Sequence, residues 1–418
     1  MRNNTQNSGF ALLATVVILT LIVGIMATAF ARAAGSRATS ARRQLFMEQA
    51  LFVAEAGAER AVGYLAASSV PVVPVALTNS VGDGSYIANI WLTNVIGSAS
   101  RSYMIAATGT VKGVTRGIVI EGARQKSWAR YAFWANDNRS IYFKSGEEFH
   151  GPVHVNSSPW FSGDPEFFDD MTSSATTFNG STNACVFHRG LRLGTRSETM
   201  ANVDFNAMKS VAGLVTTGAT TIVFQGTNMV ISNTGRGWTN RLMVLPTNSV
   251  IYVDTAGTSN GDIIVSGQLN GRVTVVAARD IQVVSNVTYV SDPATNSASD
   301  DALGLISGRD VVVTTAFPDN GKIYAHIMAT GAMTAGTTDG SFGVQNYDSR
   351  HASGLLTVYG GIAQTYRGAV GTFNSSSGTL STGFDKNYTY DERFTLDPPP
   401  QYPPISDQFA WSKWRAGR

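Results

Sequence analysis

One uncharged apolar run near the N-terminus constrains the fold more than any other feature. It spans 22 residues, from Phe10 to Ala31, and contains no Asp, Glu, Lys or Arg. At a rise of about 1.5 Å per residue, a helix of this length covers a bilayer core of about 30 Å. Since backbone groups in lipid must bond to one another, the run predicts a membrane-spanning helix. Cleavage by a signal peptidase after small residues such as Ala29 or Ala33 is an alternative.

The helix is expected to continue beyond the membrane. No proline occurs before Pro71, and apolar residues recur at steps of three and four residues between Met47 and Leu65. This spacing gives a helix one apolar face. We therefore expect one nearly continuous helix over 10–65, with its first half in lipid and its second half packed on another part of the protein.

The leader and the helix together resemble a known family. A polar leader, MRNNTQNSG, ends in Gly9, Phe10 opens the apolar run, and the amphipathic half contains RRQLFMEQALFVAEAGAERAVGYL. This pattern resembles type IV prepilins and type II secretion pseudopilins, and the later stretch resembles PilX-type minor pilins. The resemblance implies that a prepilin peptidase cuts after Gly9, at the end of leader 1–9, and that Phe10 is then N-methylated. It also implies assembly contacts through Phe10, Ala14, Glu48 and Glu55.

Two features depart from the pattern of major pilins. Major pilins carry a glutamate at the fifth mature position, which pairs with a neighbouring subunit's amine, whereas this chain has Ala14 there. An unpaired amine buried in a filament is costly, so Ala14 fits a minor or tip subunit better. Four arginines follow the apolar run and only Arg2 precedes it, which by the positive-inside rule places the following chain in the cytoplasm. The prepilin-like leader and the distal sequence favour export instead, and a plain single-pass anchor is the alternative.

The rest of the chain is predicted to be mainly β. Three segments between Gly84 and Arg124 alternate or are rich in β-branched residues, with glycine-containing turns between them. They predict an antiparallel meander, which on the distal helix would form a pilin-like head over 66–127. From Trp128 onward, a phrase recurs in which an Asp precedes a β-branched run, at Asp262, Asp280 and Asp310.

Short strands repeated in this way predict a β-solenoid over 128–397, with a β-sandwich as the alternative. Residues 398–418 form a Pro- and Trp-containing tail, whose Pro-rich stretch 398–404 is predicted to be extended. The fold class is thus α+β, mainly β: a transmembrane and amphipathic helix, a small antiparallel sheet and a solenoid. The segments HGPVHVN, GLISGRDVVV and YDERFTLDPPPQYPP resemble an uncharacterised bacterial domain that commonly follows PilX-type N-termini, and no activity is implied by that resemblance.

Residues capable of chemistry are scattered along this region. His150 and His154 have the spacing of a zinc-binding pair, but the HExxH signature and a third ligand are missing. The acidic residues at 164, 166, 169 and 170 are expected to form a solvated loop, with calcium binding as the alternative. The three repeat aspartates are expected to form turn hydrogen bonds. Cys185 is the only cysteine, which excludes an internal disulfide, and it is expected to be a small buried residue.

The sequence therefore predicts a non-enzymatic, membrane-anchored, pilin-like protein that displays a β-rich module for pilus assembly or adhesion. No catalytic residue, metal or cofactor is assigned. The expected partners are inner-membrane lipid, prepilin peptidase and other pilin-like subunits, and the net charge of +2 argues against nucleic acid. The expected location is a single pass of the inner membrane, with the bulk of the chain periplasmic or on the cell surface. The alternatives are a polysaccharide-acting β-helix enzyme and a self-assembling solenoid scaffold.

Overall fold

A computed structural model describes residues 6–67, 72–96, 100–200, 203–247, 249–255, 260–331, 339–374, 377–411 and 413–417. The chain is mainly β with one long N-terminal helix, which confirms the predicted balance of helix and strand. It divides into two units. Unit 1 consists of the described residues of Met1–Leu92, Tyr103–Ala123 and Trp411–Arg418, and unit 2 consists of those of Thr93–Ser102 and Arg124–Ala410.

The helices and strands of the described residues are numbered in chain order. The helices are α1 (Gln6–Ala66) and α2 (Phe205–Ser210). The strands are β1 (Val75–Val81), β2 (Gly84–Ile96), β3 (Ser100–Val111), β4 (Val114–Ser127), β5 (Phe133–Asp137), β6 (Tyr142–Lys144), β7 (Glu148–His150), β8 (Val153–Val155), β9 (Trp160–Ser162), β10 (Glu166–Phe167), β11 (Met171–Ser173), β12 (Asn179–Gly180), β13 (Val186–Phe187), β14 (Leu191–Arg192), β15 (Leu214–Thr217), β16 (Thr220–Gly226), β17 (Asn228–Asn233), β18 (Trp238–Val244), β19 (Ser249–Asp254), β20 (Ile263–Leu269), β21 (Arg272–Ala277), β22 (Ile281–Tyr289), β23 (Ala302–Ser307), β24 (Val311–Val313), β25 (Lys322–Ala329), β26 (Phe342–Val344), β27 (Ala352–Tyr366), β28 (Gly371–Phe373), β29 (Leu380–Tyr390), β30 (Pro404–Ala410) and β31 (Lys413–Gly417).

Unit 1 consists of a helix packed on an antiparallel sheet. Helix α1 is continuous over 61 residues, as the sequence predicts, and its second half buries a stripe of small and aliphatic residues: Ala50, Val53, Ala54, Ala58, Ala61 and Leu65. The sheet has the order β1-β2-β3-β4, with β31 on the other side of β4. The predicted meander is confirmed, whereas β1 and β31 were not foreseen.

A glycine in β3 allows the helix and the sheet of unit 1 to touch. A Cβ atom at Gly109 would lie 2.2 Å from the carbonyl oxygen of Ala50 and 2.5 Å from the amide nitrogen of Ala54. Only glycine avoids this clash, so the backbone of α1 rests directly on the strand. The alanines of the helix fit this close approach because they have little side-chain bulk.

Unit 2 is built on long ladders of parallel strands. The first ladder has the order β15-β19-β21-β23-β25-β27-β5-β8-β11-β14, and every neighbouring pair in it is parallel. The register aligns one column of inward-facing apolar residues: Leu214, Ile251, Val275, Leu305, Ile327, Ile362, Phe133, Val153, Met171 and Leu191. Each strand therefore buries the inner face of the next, and the column forms the centre of the main core.

The order of this ladder differs from the order of the chain. The chain enters at β5, in the interior of the ladder, and passes outward through β8, β11 and β14. It then continues through 193–213 to β15 at the opposite end and returns strand by strand to β27, which pairs with β5. The β-solenoid predicted for 128–397, with each coil stacked on its predecessor, is therefore wrong as stated. The residue pattern of a single strand does not determine its place in the ladder, because one aliphatic strand can pair with another equally well.

Three further sets of parallel strands enclose the same core. They have the orders β13-β10-β7-β29-β27, β16-β20-β22-β24-β26 and β6-β9-β12. The hairpin β17–β18 extends the second of these sets with antiparallel pairing next to β16. The β-sandwich alternative also has sheets packed across a shared core. Its sheets are antiparallel, however, whereas neighbouring strands within these three sets are parallel.

A second core covers the outer face of the first ladder. The outward residues of the ladder include Tyr252, Val276, Ile306, Met328 and Trp134. They are covered by aromatic and aliphatic side chains from three segments, namely Trp128, Tyr131, Phe205, Met208, Phe394, Tyr402 and Ile405. The tail predicted for 398–418 is thus divided: Tyr402 and Ile405 are buried in unit 2, and β31 completes the sheet of unit 1.

Candidate functional site

The first half of α1 exposes many large apolar side chains. Its large hydrophobic side chains are 47% to 78% exposed, from Ile22 at the lower value to Phe10 at the upper one. The helix is long and apolar enough to cross a membrane. Soluble proteins rarely expose a contiguous apolar patch of this size, so this segment requires lipid or a partner.

The polar groups inside the apolar segment are satisfied by the helix itself. The hydroxyl groups of Thr15, Thr20 and Thr28 donate to backbone carbonyl oxygens four residues earlier, at 2.6, 2.8 and 3.1 Å. In a hydrocarbon environment, where no water can accept these bonds, this arrangement removes the cost of burying a hydroxyl group. The segment is therefore chemically suited to lipid along its length.

The predicted processing and assembly residues all lie on α1 but do not form one cluster. Gly9 lies within the helix, the Phe10 side chain is 78% exposed, and Ala14 is half-buried. Glu48 is exposed and Glu55 is half-buried, and they lie about 50 and about 60 Å along the helix from Ala14 at 1.5 Å per residue. Cleavage after Gly9 and the assembly roles of these residues stay predictions.

His150 and His154, which have the spacing of a zinc-binding pair, contact different partners in the structure. His150 Nε2 lies 3.1 Å from the Glu148 carboxylate, and its ring stacks on Phe168 at a centroid distance of 4.1 Å. His154 is buried, with Nδ1 2.8 Å from the Thr172 hydroxyl and Nε2 2.9 Å from the Asn156 side-chain oxygen. Burial lowers the pKa of His154, so the ring is neutral and joins neighbouring strands by hydrogen bonds.

The acidic residues at 164–170 are largely paired with basic side chains. Asp169 binds Arg189 at 2.9 Å, Asp170 binds Arg192 at 2.7 Å, and Glu166 binds His188 at 2.6 Å. Among the described residues, no group of three or more His, Cys, Asp or Glu side chains is arranged to hold a metal ion. Cys185 is half-buried rather than fully buried as expected, and partial burial raises its pKa to about 11.

The repeat aspartates of unit 2 form hydrogen bonds just before their strands, as predicted, and these bonds connect one repeat to the next. The Asp262 carboxylate accepts the backbone N–H of Asp280 at 3.2 Å, and the Asp280 carboxylate accepts that of Asp310 at 3.2 Å. Arg309 Nε lies 3.4 Å from the Asp280 carboxylate. The recurrent aspartates therefore form a structural ladder, in which each carboxylate accepts the backbone N–H of the next repeat aspartate.

A fully buried histidine in the second core was missed by the sequence analysis. His326 Nδ1 lies 2.6 Å from the Tyr402 hydroxyl, and Nε2 lies 3.2 Å from the carbonyl oxygen of Tyr131. Since a carbonyl can only accept, Nε2 carries the proton and Nδ1 accepts from Tyr402. Burial lowers the pKa of His326 to about 3. The signal in the sequence was the Gly360-Gly361 pair, since His326 pairs with Gly361 across the ladder.

A buried cluster of charged side chains was missed as well. It lies where β27 pairs with β5 and β29 pairs with β7. We call the strands β5–β14 and the strands β15–β29 the two sets of coils, and the junction between them the seam. Lys386 forms a short ion pair with Glu147, and the Arg367 guanidinium stacks on the Phe143 ring at 3.9 Å. Arg367 also donates to the Asn138 side chain and to two backbone carbonyls at 2.7 to 3.1 Å. All these contacts join residues more than 200 positions apart.

A groove lies beside the hairpin β17–β18 of unit 2. It has a volume of about 510 Å³ and is lined by hydroxyl and amide side chains around Trp238. The Arg241 guanidinium lies 4.8 Å from the centre of the Trp238 ring. An indole beside many hydrogen-bonding groups is suited to a polar, hydroxyl-bearing ligand.

Residues 100–185 match the family described as "Domain of unknown function (DUF4900)". No curated protein matches the chain. A solved structure titled "Crystal structure of competence-associated pilin ComZ from Thermus thermophilus" aligns over 89% of this chain and 98% of its own, at 11% identity and a TM-score of 0.33. A TM-score this low does not establish a common fold, so function is inferred from the residues of this chain alone.

Proposed function

We propose that the chain is a non-enzymatic, membrane-anchored, pilin-like protein that carries a β-rich module outside the membrane. One observation supports this proposal above the others: α1 is a single helix whose first half is apolar and exposed, while its second half packs on an antiparallel sheet. Such a helix can reside in lipid and later exchange lipid for the helices of other subunits, since both surroundings are apolar.

The finer proposal is that the chain is processed and assembled as a minor pilin or pseudopilin of the PilX type. Prepilin peptidase would cut after Gly9, Phe10 would be N-methylated, and Phe10, Ala14, Glu48 and Glu55 would contact other pilin-like subunits. The proposed location is the inner membrane with the bulk of the chain periplasmic or on the cell surface. Ala14 supports a minor or tip position, because it provides no carboxylate for a neighbour's amine.

Mass spectrometry of the mature N-terminus tests this proposal. The full chain is expressed in a host with prepilin peptidase and extracted from membranes, and we expect a chain that starts at N-methylated Phe10. Gly9→Leu should abolish cleavage, whereas Gly24→Leu in the same helix, where a Cβ atom meets nothing within 4 Å, should be processed normally. A wild-type chain that retains Met1 would refute the prepilin proposal and leave a plain anchor.

Adhesion is the part of the proposal that the groove at Trp238 supports. We expect Trp238→Ala to reduce attachment of intact cells to polysaccharide-coated surfaces while the protein remains in the membrane fraction. Trp411→Ala is the matched control, because Trp411 lies in unit 1 and is 46% exposed. Equal attachment of both variants and the wild type would remove adhesion through this groove from the proposed function.

A further inference from the structure

Two lysine–carboxylate ion pairs lie at the seam, and they differ in their exposure to water. Lys144 Nζ lies 2.6 Å from the Asp385 carboxylate, and Lys386 Nζ contacts the Glu147 carboxylate. Asp385 is 31% exposed, whereas Glu147 is 1% exposed. The first pair is thus partly open to water and the second is enclosed.

The two amines also differ in the number of oxygen atoms that accept their protons. Besides Asp385, Lys144 Nζ has the carbonyl oxygens of Ser145 and Gly378 at 3.2 and 3.5 Å, which suits the three N–H groups of an ammonium ion. For Lys386, Glu147 is the one acceptor that the described residues provide. A buried ammonium with one acceptor is poorly satisfied, since each unpaired N–H group carries a desolvation cost.

The charges around Glu147 further favour a neutral amine. The Arg367 guanidinium is a second cation next to the same carboxylate, and it is held independently by the Asn138 side chain and two carbonyls. Burial lowers the pKa of Lys386 to about 8, with smaller contributions from the charges of Arg367 and Lys144, and it outweighs the Glu147 carboxylate, which acts in the opposite direction. A larger fraction of the amine is therefore unprotonated and nucleophilic at neutral pH than for an ordinary lysine.

We propose that Lys386 and Glu147 condense into an intramolecular amide that links the two sets of coils across the seam. Lys386 Nζ attacks the carboxyl carbon of Glu147, a C–N bond forms, and the C–O bond to the oxygen beside the amine breaks. Before the attack, one proton passes from the Lys386 ammonium to this oxygen within the ion pair, and a second follows from Nζ as the C–N bond forms. The oxygen therefore leaves as one molecule of water, and no oxidant or other reactant is required. The remaining carboxyl oxygen keeps the backbone N–H of Lys144 as its donor, at 3.3 Å.

The register of the strands holds the two groups in place for this reaction. Asn387 pairs with Glu148 in the parallel pair β29–β7, so the preceding residues Lys386 and Glu147 are adjacent. Fixed proximity converts a bimolecular condensation into an intramolecular one, and exclusion of water favours the amide over hydrolysis. The cross-link removes both buried charges and closes the seam, where no chain continuity joins the two sets of coils.

Tryptic peptide mapping of the full chain tests the proposal. An amide at Lys386 blocks cleavage there, so the digest of unfolded wild-type protein should contain residues 145–189 joined to residues 368–393, lighter by one water than the sum of the two peptides. Fragment ions should place the link on Glu147 and Lys386. Recovery of free 368–386 without the joined species, or a link at another glutamate, would overturn the proposal.

Matched lysine substitutions separate the cross-link from the salt bridges. Lys386→Arg keeps the positive charge but removes the nucleophilic amine, so both peptides should appear separately, each at its calculated mass. Lys144→Arg changes the other pair at the seam and should leave the joined species intact. Loss of the joined species in Lys144→Arg, with that variant still folded by circular dichroism, would contradict the assignment. The test does not depend on the pilin-like function, because N-terminal processing changes neither peptide.

Discussion

The buried imidazole of His326 should make the stability of unit 2 depend on pH. In the folded protein the ring is neutral, because it is fully buried and its pKa is lowered to about 3. In the unfolded chain the ring titrates near its ordinary pKa of about 6.5. At pH values between about 3 and 6.5 the ring is protonated in the unfolded chain but not in the folded protein. The stability contributed by the neutral ring is therefore complete above about pH 6.5 and is lost as the pH falls toward 3.

The size of this effect follows from the two pKa values. At pH 5 the linkage relation gives a loss of about 2 kcal/mol relative to pH 7, for one group with folded and unfolded pKa values of about 3 and 6.5. No charged side chain is among the hydrogen-bond partners of the ring, which are Tyr402 and the carbonyl oxygen of Tyr131. Burial therefore accounts for the shift, and little compensation from a neighbouring carboxylate is expected.

Urea unfolding at pH 7 and pH 5, followed by tryptophan fluorescence, measures this loss. The reporters are Trp128 and Trp134, which are buried in the same second core. We expect the wild type to lose about 2 kcal/mol more than His326→Gln between the two pH values. The control His351→Gln changes a ring that is 69% exposed and should keep most of the wild-type loss. Identical pH dependence in the wild type and His326→Gln would refute the reasoning, whatever the absolute stability of the variant.

Packing and pairing elsewhere give three further expected outcomes. Gly109→Ala should lower the stability of unit 1 by about 1–3 kcal/mol, because the new methyl group meets the helix backbone. Gly63→Ala has open space and should be neutral or stabilising by up to about 1 kcal/mol, so equal melting temperatures for both variants would contradict the packing argument. Arg309→Met removes the cation beside Asp280 and should cost about 1–3 kcal/mol, and an unchanged urea midpoint would refute it. Deleting 411–418 removes β31 and should speed hydrogen exchange of the β4 amides it pairs with, and unchanged exchange would contradict that pairing.

Local patterns in the sequence predicted those parts of the fold that depend on neighbours in the chain. The apolar run from Phe10 and the three- and four-residue spacing after Met47 specify a helix, and α1 is present. The recurrence of an aspartate before a β-branched run predicts hydrogen bonds at turns, and the carboxylates of Asp262 and Asp280 each accept one from the backbone of the next repeat. The helix depends on interactions between residues close in the chain, and the aspartate contacts recur at each repeat. Both can therefore be predicted from the residue pattern alone.

The order of the coils could not be predicted in the same way. Ile362 pairs with Phe133, although any aliphatic strand of unit 2 would offer a similar inner face to either residue. The contacts that distinguish the true neighbour are Arg367 with Asn138 and Lys386 with Glu147, across 229 and 239 residues. These are isolated polar residues in the sequence, and nothing in their local context indicates that they are buried together.

His326 illustrates the same limit for the candidate site. In the sequence it is one of five separated histidines, and its partner Tyr402 lies 76 residues away in the Pro-rich tail. The informative feature in the sequence is a pair of glycines that leave room for the two rings. A Cβ atom at Gly361 would lie 2.8 Å from the imidazole, and one at Gly304 would lie 2.9 Å from the Tyr402 ring. Glycines within strands mark a close approach of another group. The sequence indicates that something fills this space but does not identify it.

The connectivity of the two units has the form of a domain insertion. The main segment of unit 2 begins at Arg124 and ends at Ala410, and these two residues pair with each other in the antiparallel pair β4–β30. The chain then returns to unit 1 as β31, which pairs with the part of β4 that precedes Arg124. Because the ends of the insertion meet, coils can be added to or lost from unit 2 without changing the strands that hold α1. A unit 1 of constant structure can thus carry inserted units of different sizes.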